Sequence, residues 1–252
     1  MLDRVGKYSF LAEPFHCDLT KRLFMGRMAN LMLNAADFHS RERGFGMTYL
    51  NPIHKTWVLS RLAIEINEMP VQYSRFNIET WIESAMKYFT KRNFRITGED
   101  GKVLGYGRSV WAMIDTESRQ PQDILAEGNG DIYEWIEPNK ECPISDCSRV
   151  KVDKDGDVTR KVKMCYSDVD VNGHVNSVKY IEHVLDIFPA NYFCSHRISR
   201  FEMAYVAESH DGDSLNIYNK VAIEEGEFSI RVTKDNPQEG ETEVCRSRVK
   251  FI

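Results

Sequence analysis

Asp170, Asn172 and His174 occupy alternate positions in SDVDVNGHVNSVKYIEHVL, the segment from Ser167 to Leu185. A carboxylate, an amide and an imidazole so spaced would all face one spot in an extended stretch, where residues two apart point to the same side. Gly173, just before the histidine, permits a tight turn or a close backbone approach. The spacing then predicts a helix, with Val175, Val178, Ile181, Leu185 and Phe188 on its apolar face and Lys179, Glu182 and Asp186 on its wetter one. The unsatisfied N–H groups at a helix start favour negative charge. Three polar groups converging there suit a reaction that develops an oxyanion.

The elements that must position this segment occur twice. Ser60-Arg61-Leu62 opens SRLAIEI and Ser199-Arg200-Phe201 opens SRFEMAY, an offset of 139 that recurs between Phe76-Asn77-Ile78 and Leu215-Asn216-Ile217. A second amphipathic helix is expected from Phe24 to Phe38, with Met28, Leu31, Met32, Ala35 and Phe38 on one face. Each helix precedes its SR segment, and alternating, strand-like segments follow, separated by turn signals such as Glu99-Asp100-Gly101 and Glu224-Glu225-Gly226. The chain therefore reads as two duplicated α+β units. With the helices matched at an offset near 148, the positions corresponding to Asp170, Asn172 and His174 fall near Arg22, Phe24 and Gly26, and Glu202 falls opposite Ala63 at offset 139. On that matching only the second copy is equipped for chemistry.

A polar stretch from about Thr116 to Arg160, carrying Pro121, Gly128, Gly130, Pro138 and Pro143, is expected as a surface connector that Trp135 docks in part. The basic residues Arg149, Lys151, Lys154, Arg160, Lys161 and Lys163 are interrupted by Asp153, Asp155 and Asp157, as in a solvated hairpin.

Whole-chain properties narrow the setting. The 252 residues, 42% of them hydrophobic, are enough for one large or two ordinary cores. A net charge of −5 with interspersed signs argues against nucleic acid or an anionic membrane held by bulk attraction. No run of about 18 apolar residues is present. The N-terminus has neither a secretory core nor an Arg/Ser-rich transit pattern, so a cytoplasmic location is expected. The six cysteines are scattered and read as free thiols. Cys142 and Cys147 have no second Cys/His pair nearby, so neither a metal nor another cofactor is expected. His16, His39, His54, His183, His196 and His210 lack a comparable constellation and read as structural or surface residues.

The segment DVDVNGHVNSVKYIEHVLD resembles the D-x-N-x-H-V-N-x-V-K-Y-I signature of the fatty acyl-ACP thioesterases, the plant-type enzymes and their bacterial relatives. WVLSRLAIEINEMP and SVWAMID in the first copy are similar to that family's first-half strands, and the likeness runs over almost the whole chain from about Phe10. It implies an α+β tandem hot-dog fold, each half a long helix wrapped by a curved antiparallel sheet. The expected domains are 1–148, with the acyl-chain pocket and connector, and 149–252, with the catalytic residues.

By the resemblance, Asp170, Asn172 and His174 fall on catalytic positions, and Arg200-Phe201-Glu202-Met203 matches an R-x-E-C stretch with Glu202 in register. Met203 departs from that pattern; a thioether has no proton to lose and cannot attack a carbonyl. The nucleophile is therefore water or a carboxylate. Glu202 is favoured as water-activating base, with Asn172 binding the water or holding a carboxylate. His174 donates to the carbonyl oxygen or the leaving thiolate, and helix-start amides complete the oxyanion site. Direct attack by Asp170 stays open.

The implied partner is acyl carrier protein bearing a phosphopantetheine-linked acyl chain, with Met25, Met28, Leu31, Met32 and Ala35 as candidates to line the chain's tunnel. Lys163, Arg197 and Arg200 are candidates to dock the acidic carrier. An acyl-CoA thioesterase of the same fold and a non-catalytic acyl-binding protein are the alternatives, and a homodimer is left open.

Overall fold

The computed structural model describes residues 2–152, 156–221, 226–238 and 240–252. Asp153, Lys154 and Asp155 of the basic run and Glu224 and Glu225 of the second turn signal lie outside the described residues. The chain divides into two units, Met1–Cys147 and Ser148–Ile252.

In the first unit, strand β1 (Gly6–Leu11) precedes helix α1 (Met25–Glu42) and the short α2 (Met47–Leu50). Strands β2 (Lys55–Ile66), β3 (Arg75–Ala85), β4 (Phe89–Gly98) and β5 (Val103–Asp115) follow. All pair antiparallel in the order β1-β3-β4-β5-β2. The 2-residue alternation of RFNIETWIE buries Phe76, Ile78, Thr80 and Ile82 along β3. Helix α1 buries Met25, Met28, Ala29, Leu31, Met32, Ala35 and Ala36, the i, i+3, i+4 pattern of a core-facing stripe. It runs one turn beyond its expected end. Phe38 is 40% exposed rather than on the buried face, and touches Tyr8 edge-on at 5.7 Å. Close approach of helix and sheet depends on Gly107, where an added Cβ would lie 2.2 Å from the Met32 methyl.

The second unit repeats this plan. Strand β6 (Val158–Lys163) precedes helices α3 (Ser177–Leu185) and α4 (Tyr192–Ser195). Strands β7 (Ile198–Tyr205), β8 (Ser214–Val221), β9 (Glu227–Asn236) and β10 (Gly240–Phe251) then form the sheet β6-β8-β9-β10-β7. It has the same antiparallel order as the first. Val178, Tyr180, Ile181 and Val184 are the buried face of α3, and the Tyr205 hydroxyl on β7 donates to the Ser177 carbonyl at 3.0 Å. The helix is shorter than its periodicity suggests: Val175 lies in an isolated bridge before it and Phe188 beyond it. Each unit is a helix on an antiparallel sheet, the double hot-dog architecture.

Two expectations about the linking segment change. The basic run is not a solvated hairpin, because Val158–Lys163 pairs with β8 as an edge strand. Two of its cations are paired locally, Lys161 on Asp235 at 2.7 Å and Arg160 on Asp186 at 2.9 Å. The connector is also far more embedded than one docked tryptophan implies. Ile124 and Ile132 are buried against Leu50, Ile82 and Met113, with Trp135 packed on that cluster. Further on, Arg108 donates to the Cys142 and Ile144 carbonyls at 2.7 and 3.0 Å and pairs with Asp146, while Cys142 and Ile144 cover Trp81.

Candidate active site

Asp170, Asn172 and His174 lie on a closed turn, not on an extended stretch. Val169 and Val175 form an antiparallel bridge, Asp170 N–H donates to the His174 carbonyl at 2.8 Å, and Gly173 N–H donates to the Asp170 carbonyl at 3.0 Å. Gly173 sits at φ +78°, where an L-residue is disfavoured. The Asp170 carboxylate accepts from Asn172 N–H at 2.8 Å and, at a long 3.5 Å, from His174 N–H, the Asx-turn use of such a side chain. Sequence periodicity could not reveal this, because alternate residues share a side only when the backbone is extended.

The turn has a counterpart in the first unit, at an offset of 152 rather than 148. Cys17 and Leu23 form the bridge, Asp18 N–H donates to the Arg22 carbonyl at 2.8 Å, and Lys21 N–H donates to the Asp18 carbonyl at 2.9 Å. The Asp18 carboxylate accepts from Thr20 N–H at 2.7 Å and Arg22 N–H at 3.4 Å, and Lys21 holds the left-handed position at φ +62°. The residues matching Asp170, Asn172 and His174 are therefore Asp18, Thr20 and Arg22. The carboxylate is present in both copies, and the amide and imidazole only in the second. The strand offset of 139 and the loop offset of 152 differ because the first unit carries 13 more residues between helix start and SR strand, chiefly in α1, which has 18 residues against the 9 of α3.

The start of α3 is satisfied from within. Asn176 is the N-cap, its side-chain oxygen accepting from Val178 N–H at 3.0 Å. Asn176 N–H donates to the Asp168 carbonyl, and Lys179 N–H to the Asn176 carbonyl, both at 2.8 Å. These three amides are engaged within the protein. Donors left at the turn include the exposed Asn172 side chain, which has no hydrogen-bond partner among the described residues, and the His174 ring. Buried Asp168 braces the turn from behind, accepting from Cys165 N–H at 2.9 Å with His183 Nε2 3.4 Å away.

His174 is half-buried beside two residues that sequence reasoning missed. Its Nε2 lies 3.3 Å from Glu208 Oε2, and its ring meets His210 edge-on at 5.0 Å. A signal for them was present: at offset 139, Glu208 and His210 stand where the first unit has Met69 and Val71.

Glu202 on β7 is 4% exposed. Its Oε1 accepts from Arg200 Nη2 at 2.9 Å and from Ser148 N–H at 3.3 Å, whereas Oε2 has no donor among the described residues. Met203 is fully buried. Arg200, a candidate for carrier docking, thus spends at least one guanidinium nitrogen on Glu202. Lys163 and Arg197 are exposed, Lys163 at the end of β6 and Arg197 just before β7, the two ends of the unit's strand order. Met25, Met28, Leu31, Met32 and Ala35 are buried together on α1.

Family and structural comparisons agree with this duplicated architecture. The profile of the acyl-ACP thioesterase N-terminal domain matches residues 6–131 and that of the C-terminal domain residues 151–252. The chain is 25% identical over 224 residues to oleoyl-acyl carrier protein thioesterase 2 of Arabidopsis thaliana, covering 83% of this chain and 61% of that relative. It is 26% identical over 219 residues to a palmitoyl-acyl carrier protein thioesterase of Gossypium hirsutum, covering 82% and 53%. It therefore spans less than two thirds of the length of these two relatives. A crystal structure of an acyl-ACP thioesterase from Bacteroides thetaiotaomicron superposes with a TM-score of 0.91 at 47% identity, over 99% of this chain and 98% of that one. The 12:0-ACP thioesterase from Umbellularia californica shares the fold, with a TM-score of 0.85 at 23% identity over 100% and 98%. With both domain profiles matched in order across nearly its whole length, this chain belongs to the acyl-ACP thioesterase family.

Proposed function

We propose that the protein hydrolyses the thioester of an acyl chain carried on acyl carrier protein, using the Asp170–His174 turn and Glu202 of the second unit. The observation that carries this reading is the contrast between the duplicated turns. The scaffold carboxylate is kept in both, but the groups suited to acyl transfer, Asn172 and His174, occur only where Glu202 replaces Ala63.

In this reading Asp170 holds the turn. Glu202 takes the proton of the attacking water through Oε2, the oxygen that Arg200 and Ser148 leave unengaged. The exposed Asn172 amide donates to the carbonyl oxygen as negative charge develops on it, and His174 serves the departing sulfur. Water is taken as the nucleophile, since Met203 has no nucleophilic proton to lose and Asp170 is given the role of holding the turn through Oδ1. The acyl chain is assigned to the buried methionine face of α1, and carrier docking to Lys163, which adjoins the turn in sequence.

Thiol release from acyl-ACP and acyl-CoA is the test, with single turnover in ¹⁸O-water. Release from acyl-ACP with label only in the fatty acid supports the reading. Label in the Asp170 carboxylate would replace water by direct attack, preference for acyl-CoA would change the partner, and absence of release would remove the function. Lys163→Glu should raise KM for acyl-ACP at low salt and leave KM unchanged at high salt.

A further inference from the structure

We infer that Glu208 is a positioning residue for His174, holding the ring so that it delivers a proton to the leaving thiolate. This rests on the proposed thioester hydrolysis and assigns His174 one of the two donor roles open to it.

The geometry is local and asymmetric. Glu208 Oε2 faces His174 Nε2 at 3.3 Å, which leaves Nδ1 as the nitrogen free to address a substrate. His210 packs edge-on against the ring at 5.0 Å and restricts its rotation. The segment bearing both residues is itself fastened. Val175 N–H donates to the Ser209 carbonyl at 2.8 Å, and Lys234 Nζ donates to the Glu208 carbonyl at 2.8 Å and reaches Asp213 at 3.2 Å. His210 N–H donates to that same Asp213 carboxylate at 3.0 Å. A carboxylate on a clamped backbone, aimed at an imidazole, is the orienting arrangement of acid–base dyads.

The duplicated unit separates this role from simple scaffolding. There the clamp is preserved, with Leu23 N–H donating to the Pro70 carbonyl at 2.9 Å as Val175 does to Ser209. The residues flanking the clamp are Met69 and Val71, and the residue facing them is Arg22. Loop attachment therefore needs neither Glu208 nor His210. Both accompany the histidine.

The reaction balances as follows. Water gives a proton to Glu202 as its oxygen bonds to the carbonyl carbon. The C–S bond then breaks with its electron pair on sulfur, and the thiolate takes the Nδ1 proton of the His174 imidazolium while Nε2–H stays on Glu208. Of the protons on Glu202 and on the new carboxylic acid, one restores the imidazolium and the other goes to solvent, leaving carboxylate and free thiol.

The test compares leaving groups. Glu208→Gln keeps size and polarity but removes the charge, and its folding is checked by thermal unfolding. With acyl-ACP, whose alkyl thiolate needs protonation, kcat should fall on the order of 10- to 100-fold with KM within about twofold. With an acyl 4-nitrothiophenyl ester, whose thiolate leaves unaided, the loss should be under about threefold. Glu208→Asp should recover part of the acyl-ACP rate. Equal losses on both esters, or no loss on either, would overturn the role of Glu208. A wild-type protein that releases thiol from neither ester would instead overturn the hydrolase reading.

Discussion

The Asp18 and Asp170 turns are one backbone device used for two ends. Both close an antiparallel bridge, both fold the aspartate carboxylate onto the N–H two residues on, and both place a left-handed residue three positions after the aspartate, Lys21 in one and Gly173 in the other. What differs is the outward chemistry. Thr20 and Arg22 stand where Asn172 and His174 are, and Phe24 caps α1 without a side-chain bond where Asn176 caps α3 with one. Shared features mark what the fold requires, and unshared ones mark what a reaction requires. In the proposed reading the aspartate therefore serves as scaffold.

The strongest way to break the comparison is to make the second turn a copy of the first. Asn172→Thr with His174→Arg should lower kcat/KM for acyl-ACP by about 10³-fold or more while the unfolding midpoint moves by only a few degrees; retained activity would place the chemistry elsewhere.

A second prediction contrasts the histidines of the two units. His39 on α1 is fully buried and donates Nε2–H to the Arg4 carbonyl at 2.9 Å, and burial, with Arg92 nearby, pushes its imidazolium down to about 2. Because the folded form binds its proton only far below the ordinary 6.5, the unfolded chain takes up a proton that the folded one refuses as pH falls below 6.5. Stability is then lost by about 1.4 kcal/mol per pH unit, or roughly 2 kcal/mol at pH 5. Urea unfolding at pH 7 and pH 5 should show that loss in the wild type and a smaller one in His39→Gln.

Removing the shared carboxylates sharpens the assignment of scaffold. Asp18→Ala and Asp170→Ala should each cost about 1–2 kcal/mol of stability, yet only Asp170→Ala should slow thiol release. An Asp170 variant as stable as wild type but inactive would return the carboxylate to the chemistry. The smallest effect concerns the left-handed positions. Gly173→Ala should destabilise by about 1 kcal/mol through backbone strain alone, since the new Cβ meets nothing within 4 Å. Lys21→Gly should stabilise by about 0.5 kcal/mol, both measured by chemical denaturation.

Much of this was legible in the sequence because apolar spacing reports burial directly. The repeat at offset 139, the stripe of α1 and the alternation of β3 are statements about which side chains avoid water, and the fold obeys them. The turn was misread for the complementary reason. DVNGH is governed by an Asx bond and a positive φ, which leave no periodic trace, so an offset was borrowed from the helices and missed Asp18 by four residues. Glu208 and His210 left a trace at offset 139, but their proximity to His174 across a loop is not written in any spacing. The bond from Arg200 to Glu202 was equally hidden, since a strand segment does not announce which neighbours its guanidinium will meet.

The embedded connector bears on how the polypeptide is made. Arg108 and Trp81 belong to the first unit, yet the groups that satisfy and cover them, the Cys142 and Ile144 carbonyls and the Asp146 carboxylate, are translated last in it. During vectorial synthesis the first unit cannot finish folding when β5 leaves the ribosome; it waits for some thirty further residues, with Trp81 partly uncovered and Arg108 held by Glu83 alone in the interim. A nascent chain stalled near residue 131, where the N-terminal domain match ends, is thus a natural client for chaperones, and one stalled beyond residue 147 is not.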